Sequence, residues 1–282
     1  MRRKLSFLIA MSLSMILLLA GCGTSSDSEK TGGEGESENG TFKVGLEAGY
    51  APFNWTQMDD ANGGVKIDGS AEYAGGYDVE IAKKIADGLG KKLVIVKTEW
   101  DGLVPALNSG KIDAIIAGMS PTAKRKKTID FSDVYYKSNL VMVVKKGGKY
   151  DGATSIQDFN GAKVSAQLNT FHYSVIDQIN GVSKQPAMDN FPAMRVALES
   201  GVIDGYVSER PEGVSAESAN ENFKVIEFSD GFETSDDDTA IAVGVAKGSD
   251  LTKEINKILA GISEEERTSI MDAAIKNQPA AN

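Results

Sequence analysis

The chain has 282 residues, 41% of them apolar, with 30 basic and 40 acidic residues, one histidine and one cysteine. So acidic a balance argues against nucleic acid as a partner. A single histidine and a single cysteine allow no His/Cys metal cluster and no disulfide, no Ser-His-Asp set can be assembled, and no glycine-rich phosphate loop follows a strand, so neither a cofactor nor an enzymatic activity is expected.

The amino terminus reads as an export signal. Arg2, Arg3 and Lys4 precede a mostly apolar run over 5–19, which ends in Leu19-Ala20-Gly21-Cys22. A lone cysteine directly after Leu-Ala-Gly resembles a bacterial lipobox, so residues 1–21 are expected to be a lipoprotein signal peptide and Cys22 the lipidated first residue of the mature chain. Residues 23–40 are rich in Ser, Gly and Glu with no apolar side chain, so a disordered tether is expected over 22–40. Nothing after residue 22 is long and apolar enough to span a bilayer, and the expected location is extracytoplasmic, lipid-anchored to the bacterial cell membrane. Loss of the leader leaves 27 basic against 40 acidic residues, a formal charge of −13.

The remaining stretch of about 240 residues is large for one core and comfortable for two. A strand is predicted over 42–46 and a helix over 77–89, with Val79, Ala82, Ile85, Ala86 and Leu89 on one face and Gly90 as its stop. A strand over 92–96, a helix over 103–107 and a strand over 112–117 follow. The alternation resumes with strands over 140–144 and 163–166, helices over about 170–179 and 194–198, and strands over 203–207 and 240–245. Helices over 251–259 and 264–275 close the chain.

Residues 106–118 recur as 197–209, 91 positions on. Each copy reads as a helix end, a Ser-Gly stop and a short apolar strand, with an aromatic upstream, Trp100 or Phe191. The fold class expected is therefore α/β with parallel sheets in two lobes, whose ligand lies beyond the carboxyl ends of the strands, where Gly118 and Glu209 close the two copies. Closing helices of this kind usually complete the first lobe, giving lobe 1 as 41–138 plus 239–282, lobe 2 as 139–238, and hinges near 137–139 and 237–239.

The lipobox, the acidic tether, Tyr50-Ala51-Pro52-Phe53-Asn54, Gly76-Tyr77-Asp78-Val79-Glu80-Ile81-Ala82, Trp100-Asp101-Gly102-Leu103, Ser109-Gly110-Lys111-Ile112-Asp113, and the run from Gly118 to Arg125 into Ile129-Asp130-Phe131-Ser132 together resemble family 3 extracellular solute-binding proteins, the polar amino-acid receptors of ABC importers. The resemblance covers essentially everything after the tether. It implies a two-lobed periplasmic-binding-protein fold of the second topological type that closes on a free amino acid and presents it to a permease and its ATPase, with a monomer as the expected state.

A buried amino acid needs a partner for each of its charges. Arg125 matches the family's carboxylate-binding arginine, and its planar fork suits two oxygens. Ser120 and Gly118 match contact positions beside it. Glu209 stands where the family commonly carries an aspartate for the ammonium group. Across the cleft, Asn169, Thr170 and Phe171 follow a strand and open a helix, where backbone amides favour an anion; the family often has Gly-Thr-Thr here, so Phe171 transfers only its backbone. Tyr50 and Trp100 align with aromatic positions flanking the ligand side chain. Glu47 aligns with an acid that meets basic side chains in some relatives, which favours arginine or lysine; histidine, glutamine and cystine stay open. Asn54 and Trp55 are weaker candidates, and Asp236-Asp237-Asp238 reads as a solvated hinge loop. A sensory module or an enzyme on the same fold are the alternatives of a different class.

Overall fold

The structure is a computed structural model that describes residues 40–279. The predicted leader, Cys22 and all but the last residue of the predicted tether lie outside the described residues.

Two five-stranded sheets carry the fold. The first has the order Lys92–Lys97, Thr41–Leu46, Ala114–Ile115, Ala240–Ala246, Ile129–Lys137, and the second Ser183–Lys184, Lys163–Ser165, Gly205–Glu209, Leu140–Lys145, Phe223–Ile226. In each, the first three strands run parallel and the fourth is antiparallel to both its neighbours. The sheets are thus mixed where parallel ones were expected. The reason is the chain path: a strand that enters its sheet from the cleft, as Leu140–Lys145 and Ala240–Ala246 do, runs against strands whose carboxyl ends point to the cleft.

The internal repeat has a structural counterpart. Gly110 and Gly201 both adopt left-handed backbone, at φ 73° and 76°, and end their helices with paired bonds from the following amides to the last turn. Three residues on, Asp113 Oδ2 accepts from the Lys43 amide and Asp204 Oδ2 from the Lys163 amide, each at 2.8 Å. Each aspartate binds the neighbouring parallel strand to the repeat.

Several elements differ from the sequence expectation. The strand at 112–117 narrows to Ala114–Ile115, and that at 203–207 shifts to Gly205–Glu209, carrying Glu209 within it. The helix at 170–179 is Phe171–Val175 followed by a 3₁₀ turn, Ile176–Gln178. Strand Ile129–Lys137 escapes a hydrophobicity reading because only Ile129 and Tyr135 of its nine residues are buried. A small sheet of Gly49–Tyr50, Asn54–Gln57, Tyr73–Gly75 and Val65–Lys66, and the helix Arg210–Ala219, were also unforeseen.

The two connections between the sheets run side by side: Ser138 donates to the Thr239 carbonyl at 3.1 Å, and Ala240 pairs with Lys137. Helices Leu251–Leu259 and Glu264–Asn277 pack against Tyr77–Gly88, and the first also against Ile129–Lys137. Asn256 Oδ1 accepts from the Asp133 amide at 2.7 Å, and Arg267 donates to the Val134 carbonyl at 2.9 Å. One apolar cluster continues from the first sheet into the second through Tyr50 and Phe191, whose rings stack at 4.3 Å and 10°. Among the described residues, no helix is long and apolar enough to cross a membrane.

Candidate functional site

Both sheets aim the ends of their central strands at one cleft, and residues from the two sides meet there. Tyr50, in a two-residue strand after Thr41–Leu46, is packed between Phe191 and the ring of Phe53, 4.9 Å away. Gly118, at φ 61°, is the residue that lets it sit there: a Cβ at 118 would lie 2.5 Å from Tyr50 Cε1. The Tyr50 hydroxyl donates to Glu209 Oε2, and Nε2 of the buried His172 lies 2.9 Å from Glu209 Oε1. Burial, followed by the neighbouring Glu209 charge, pushes the Tyr50 hydroxyl well above its ordinary pKa, so it stays a donor. Burial opposes ionisation of Glu209 too, but His172 and the Tyr50 hydroxyl outweigh it and hold the carboxyl below its ordinary value.

Glu47 ends up buried beside Gln167, whose Nε2 donates to Glu47 Oε1 at 3.0 Å and to the Asp189 carbonyl at 3.2 Å. Its Oε2 is buried with no hydrogen-bond partner. Desolvation, with help from the like charges of Glu99 and Asp101, raises Glu47 to about 7.

Arg125 sits in a 3₁₀ turn, Arg125–Lys127, with its guanidinium 4.9 Å from the centre of the Trp100 ring. Nη1 donates to the Ser120 carbonyl at 3.0 Å and Nη2 to the Asn169 carbonyl at 3.2 Å, leaving further N–H groups for an anion. Desolvation lowers Arg125 to about 10, against the pull of Glu209 and Asp238, so it is a cation at neutral pH. The Ser120 hydroxyl donates to the Asp238 carbonyl at 2.8 Å, in the segment leading back to the first sheet.

Asn169 has left-handed backbone, φ 56°, and its side chain donates to Asp101 at 2.8 Å across the cleft. Thr170 precedes the helix without capping it through its side chain, and its hydroxyl instead donates to the Gln167 carbonyl at 2.7 Å. A cavity of about 640 Å³ opens beside these groups, lined by Trp100, Arg125, Asn169, Thr170 and Phe171, and a second of about 230 Å³, lined by Glu99, Asp101, Asp189 and Asn190, adjoins it across Trp100.

The cleft therefore gathers Glu47, Tyr50, Trp100, Gly118, Ser120, Arg125, Asn169, Thr170, Phe171 and Glu209. Asn54 and Trp55 turn elsewhere. Asn54 donates to the buried Asp78 at 2.8 Å, and Trp55 to Gln57 at 2.7 Å. The segment 236–238 is solvated as expected but is the short helix Asp236–Thr239 rather than a loop, and its exposed Asp236 and Asp237 pair with Lys137 and Lys126, at 2.7 and 2.6 Å. Gln167, His172, Phe191 and Asp101 were missed as cleft residues. Gln167 carried the signal used for Asn169, a position just past the carboxyl end of a strand, and Phe191 carried the repeat alignment with Trp100.

The comparisons with known proteins agree with this fold. The family model of bacterial extracellular solute-binding proteins, family 3, matches residues 42–274. The arginine-binding extracellular protein ArtP of Bacillus subtilis is 30% identical over 252 residues, covering 87% of this chain and 90% of its own length. The glutamine-binding protein GlnH of an ABC transporter from the same organism is 31% identical over 284 residues, covering 99% of each chain. Among solved structures, an amino acid ABC transporter substrate-binding protein from Streptococcus pneumoniae bound to L-arginine superposes with a TM-score of 0.72 at 27% identity, over 84% of this chain and 94% of that one. With its family model matched over nearly the whole described chain and its two sheets meeting at one cleft, this chain belongs to the family 3 bacterial extracellular solute-binding proteins.

Proposed function

We propose that the protein is the receptor of an ABC uptake transporter for a free amino acid with a cationic side chain, arginine before lysine. The observation that carries this reading is Glu47: a buried carboxylate with one unpartnered oxygen, raised to about 7 by desolvation and two further acids, is a site short of one positive charge. Arg125 would take the α-carboxylate through its remaining donors, with the Trp100 ring behind it. Glu209 would take the α-ammonium. Trp100 would flank the alkyl chain on its way to Glu47, Tyr50, whose ring faces are taken by Phe191 and Phe53, would instead hold Glu209 in place, and Asn169 to Phe171 would close over the ligand. The ligands named for the relatives, arginine in one and glutamine in another, keep glutamine as the second reading.

The lobes in this reading are 41–138 plus 239–282 and 139–238. The connections at 137–139 and 237–239 act as hinges, with a permease and its ATPase receiving the closed monomer. Residues 1–21 are the signal peptide, and Cys22 carries the lipid that holds the receptor to the outer face of the cell membrane. The test is a thermal-shift panel of the twenty amino acids plus cystine, since a ligand at about 100 times its Kd adds about 2.7 kcal/mol of stability. The largest shifts are expected for arginine and lysine. A shift from glutamine or cystine with none from either basic amino acid would overturn the cationic assignment, and conversion of the ligand during incubation would overturn the receptor role.

A further inference from the structure

Asn169 stands out by its backbone. It lies in the turn between strand Lys163–Ser165 and helix Phe171–Val175, at φ 56°, a left-handed conformation that glycine adopts at no steric cost. The turn is held without the Asn169 side chain: the Leu168 amide donates to the Met188 carbonyl at 2.8 Å, and the Thr170 hydroxyl to the Gln167 carbonyl at 2.7 Å. Among the described residues, that side chain makes one hydrogen bond, and it crosses the cleft. Its Nδ2 donates to Asp101 Oδ1 at 2.8 Å, in the 3₁₀ turn Trp100–Gly102 of the facing side. The Asn169 carbonyl meets the same side, accepting from Arg125 Nη2 at 3.2 Å, and the Arg125 guanidinium lies over the Trp100 ring. One residue thus brackets the stack of Arg125 on Trp100, with its carbonyl at the guanidinium and its side chain at the residue next to the indole. Any residue supplies a carbonyl; the amide is what asparagine adds.

We infer that Asn169 is a positioning residue whose side chain latches the closed cleft onto Asp101, and that this latch sets how long a bound amino acid is retained. This rests on the reading of the cleft as an amino-acid site that closes on its ligand. A bond between the two sides forms only once they have come together, so it stabilises the closed state and adds nothing to the encounter that precedes it. Dissociation requires opening, and opening breaks this bond. Both partners are exposed, which holds its strength to that of a solvated charge-assisted pair. Arg125 keeps its bond to the carbonyl whatever side chain stands at 169, so the latch is separable from the carboxylate clamp.

Substitutions at 169 test the side chain alone. Asn169→Gly suits the left-handed backbone, retains the carbonyl and removes only the bond to Asp101. In stopped-flow fluorescence with arginine and with glutamine, it should release the amino acid about two- to fivefold faster at an unchanged association rate. Asn169→Asp keeps the size of the side chain but sets a carboxylate against Asp101, and should release faster still, by a margin that shrinks with added salt. Exchanging the two residues, Asp101→Asn with Asn169→Asp, restores the bond with donor and acceptor reversed and preserves the net charge, so release should slow again to within about twofold of wild type. Release no faster in Asn169→Gly than in wild type, or no slower in the exchanged protein than in Asn169→Asp, would overturn the inference and leave the receptor reading standing. Failure of the wild type to bind either amino acid would sink the receptor reading, and this inference with it.

Discussion

Replacing Glu47 by glutamine keeps the shape of the side chain and removes its charge, which separates two consequences of burying it. Glu47 is covered from the opposite side of the cleft by Gln167, which the Asp189 carbonyl holds in place, so its desolvation is incurred when the lobes come together rather than when the chain folds. Its value rises from 4.5 to about 7; at about 1.4 kcal/mol per pH unit, the ionised carboxylate resists closure by on the order of 3 kcal/mol. Without ligand at about pH 8, Glu47→Gln should shift the open–closed ratio toward closed by up to about a hundredfold. Spin labels at the exposed Met58 and Val196 would report this as a gain of the shorter distance. The sign for the wild type follows: the closed state keeps a proton up to about 7 and the open state only up to about 4.5, so the cost of closing falls as pH drops through this window and wild type at about pH 4 should resemble the variant at pH 8. The same substitution should weaken arginine by about thirtyfold or more, because it leaves a guanidinium buried without its counter-ion, while glutamine holds or tightens. Identical distance distributions for wild type and variant at both pH values would refute the argument, as would equal losses for arginine and glutamine.

Arg125→Ala should cost every amino-acid ligand about 3–5 kcal/mol, a hundredfold or more by calorimetry, since it leaves the α-carboxylate buried without a cation; the fold should survive, because the side chain bonds only two backbone carbonyls. Cys22→Ala should move the protein from the membrane fraction to the soluble one with ligand affinity unchanged, and retention of the variant at the membrane would refute the lipobox. Asp78 is buried on Asn54 and Tyr135 and is raised from 3.8 to about 7, chiefly by desolvation, so between those values the folded state holds a proton that the unfolded chain has lost. Stability carried by that proton is lost as pH rises through this window, and Asp78→Asn should flatten the fall in melting temperature between about pH 5 and pH 8.

The parts of this fold legible in the sequence are those that obey local rules. The repeat could be read because Gly110 and Gly201 must take left-handed backbone and because Asp113 and Asp204 follow at the same spacing, where both tie a strand edge. Glu209 and Asn169 could be singled out because strand ends in such sheets face the ligand. The strand Ile129–Lys137 could not, since its pairing with Ala240–Ala246 is decided by a segment more than a hundred residues away and only two of its side chains are buried. Gln167 and His172 escaped for a related reason. Each matters through a partner on another segment, Glu47 and Glu209 respectively, and neither pairing leaves a mark on the residues around it.

The buried charges of the cleft also discriminate between ligands by their sum. Glu47 and Glu209 bring two negative charges and Arg125 one positive, so the closed cleft is one positive charge short. A basic amino acid, with its net positive charge, closes that account in full, and Glu47 is then ionised. Glutamine, with none, leaves the deficit, which Glu47 can meet by taking up a proton as the cleft closes over it. Glutamine binding should therefore take up a proton at Glu47 that arginine binding does not. Near pH 6, between the ordinary value of 4.5 and the buried value of about 7, calorimetry in buffers of different ionisation enthalpy should find most of a proton more taken up with glutamine in the wild type than in Glu47→Gln. Glutamine affinity should fall as pH rises through this window and level off above about 7, while arginine affinity stays flat across it. The same proton count for both ligands in the wild type, together with parallel pH profiles, would mean that the cationic group of the ligand does not meet Glu47.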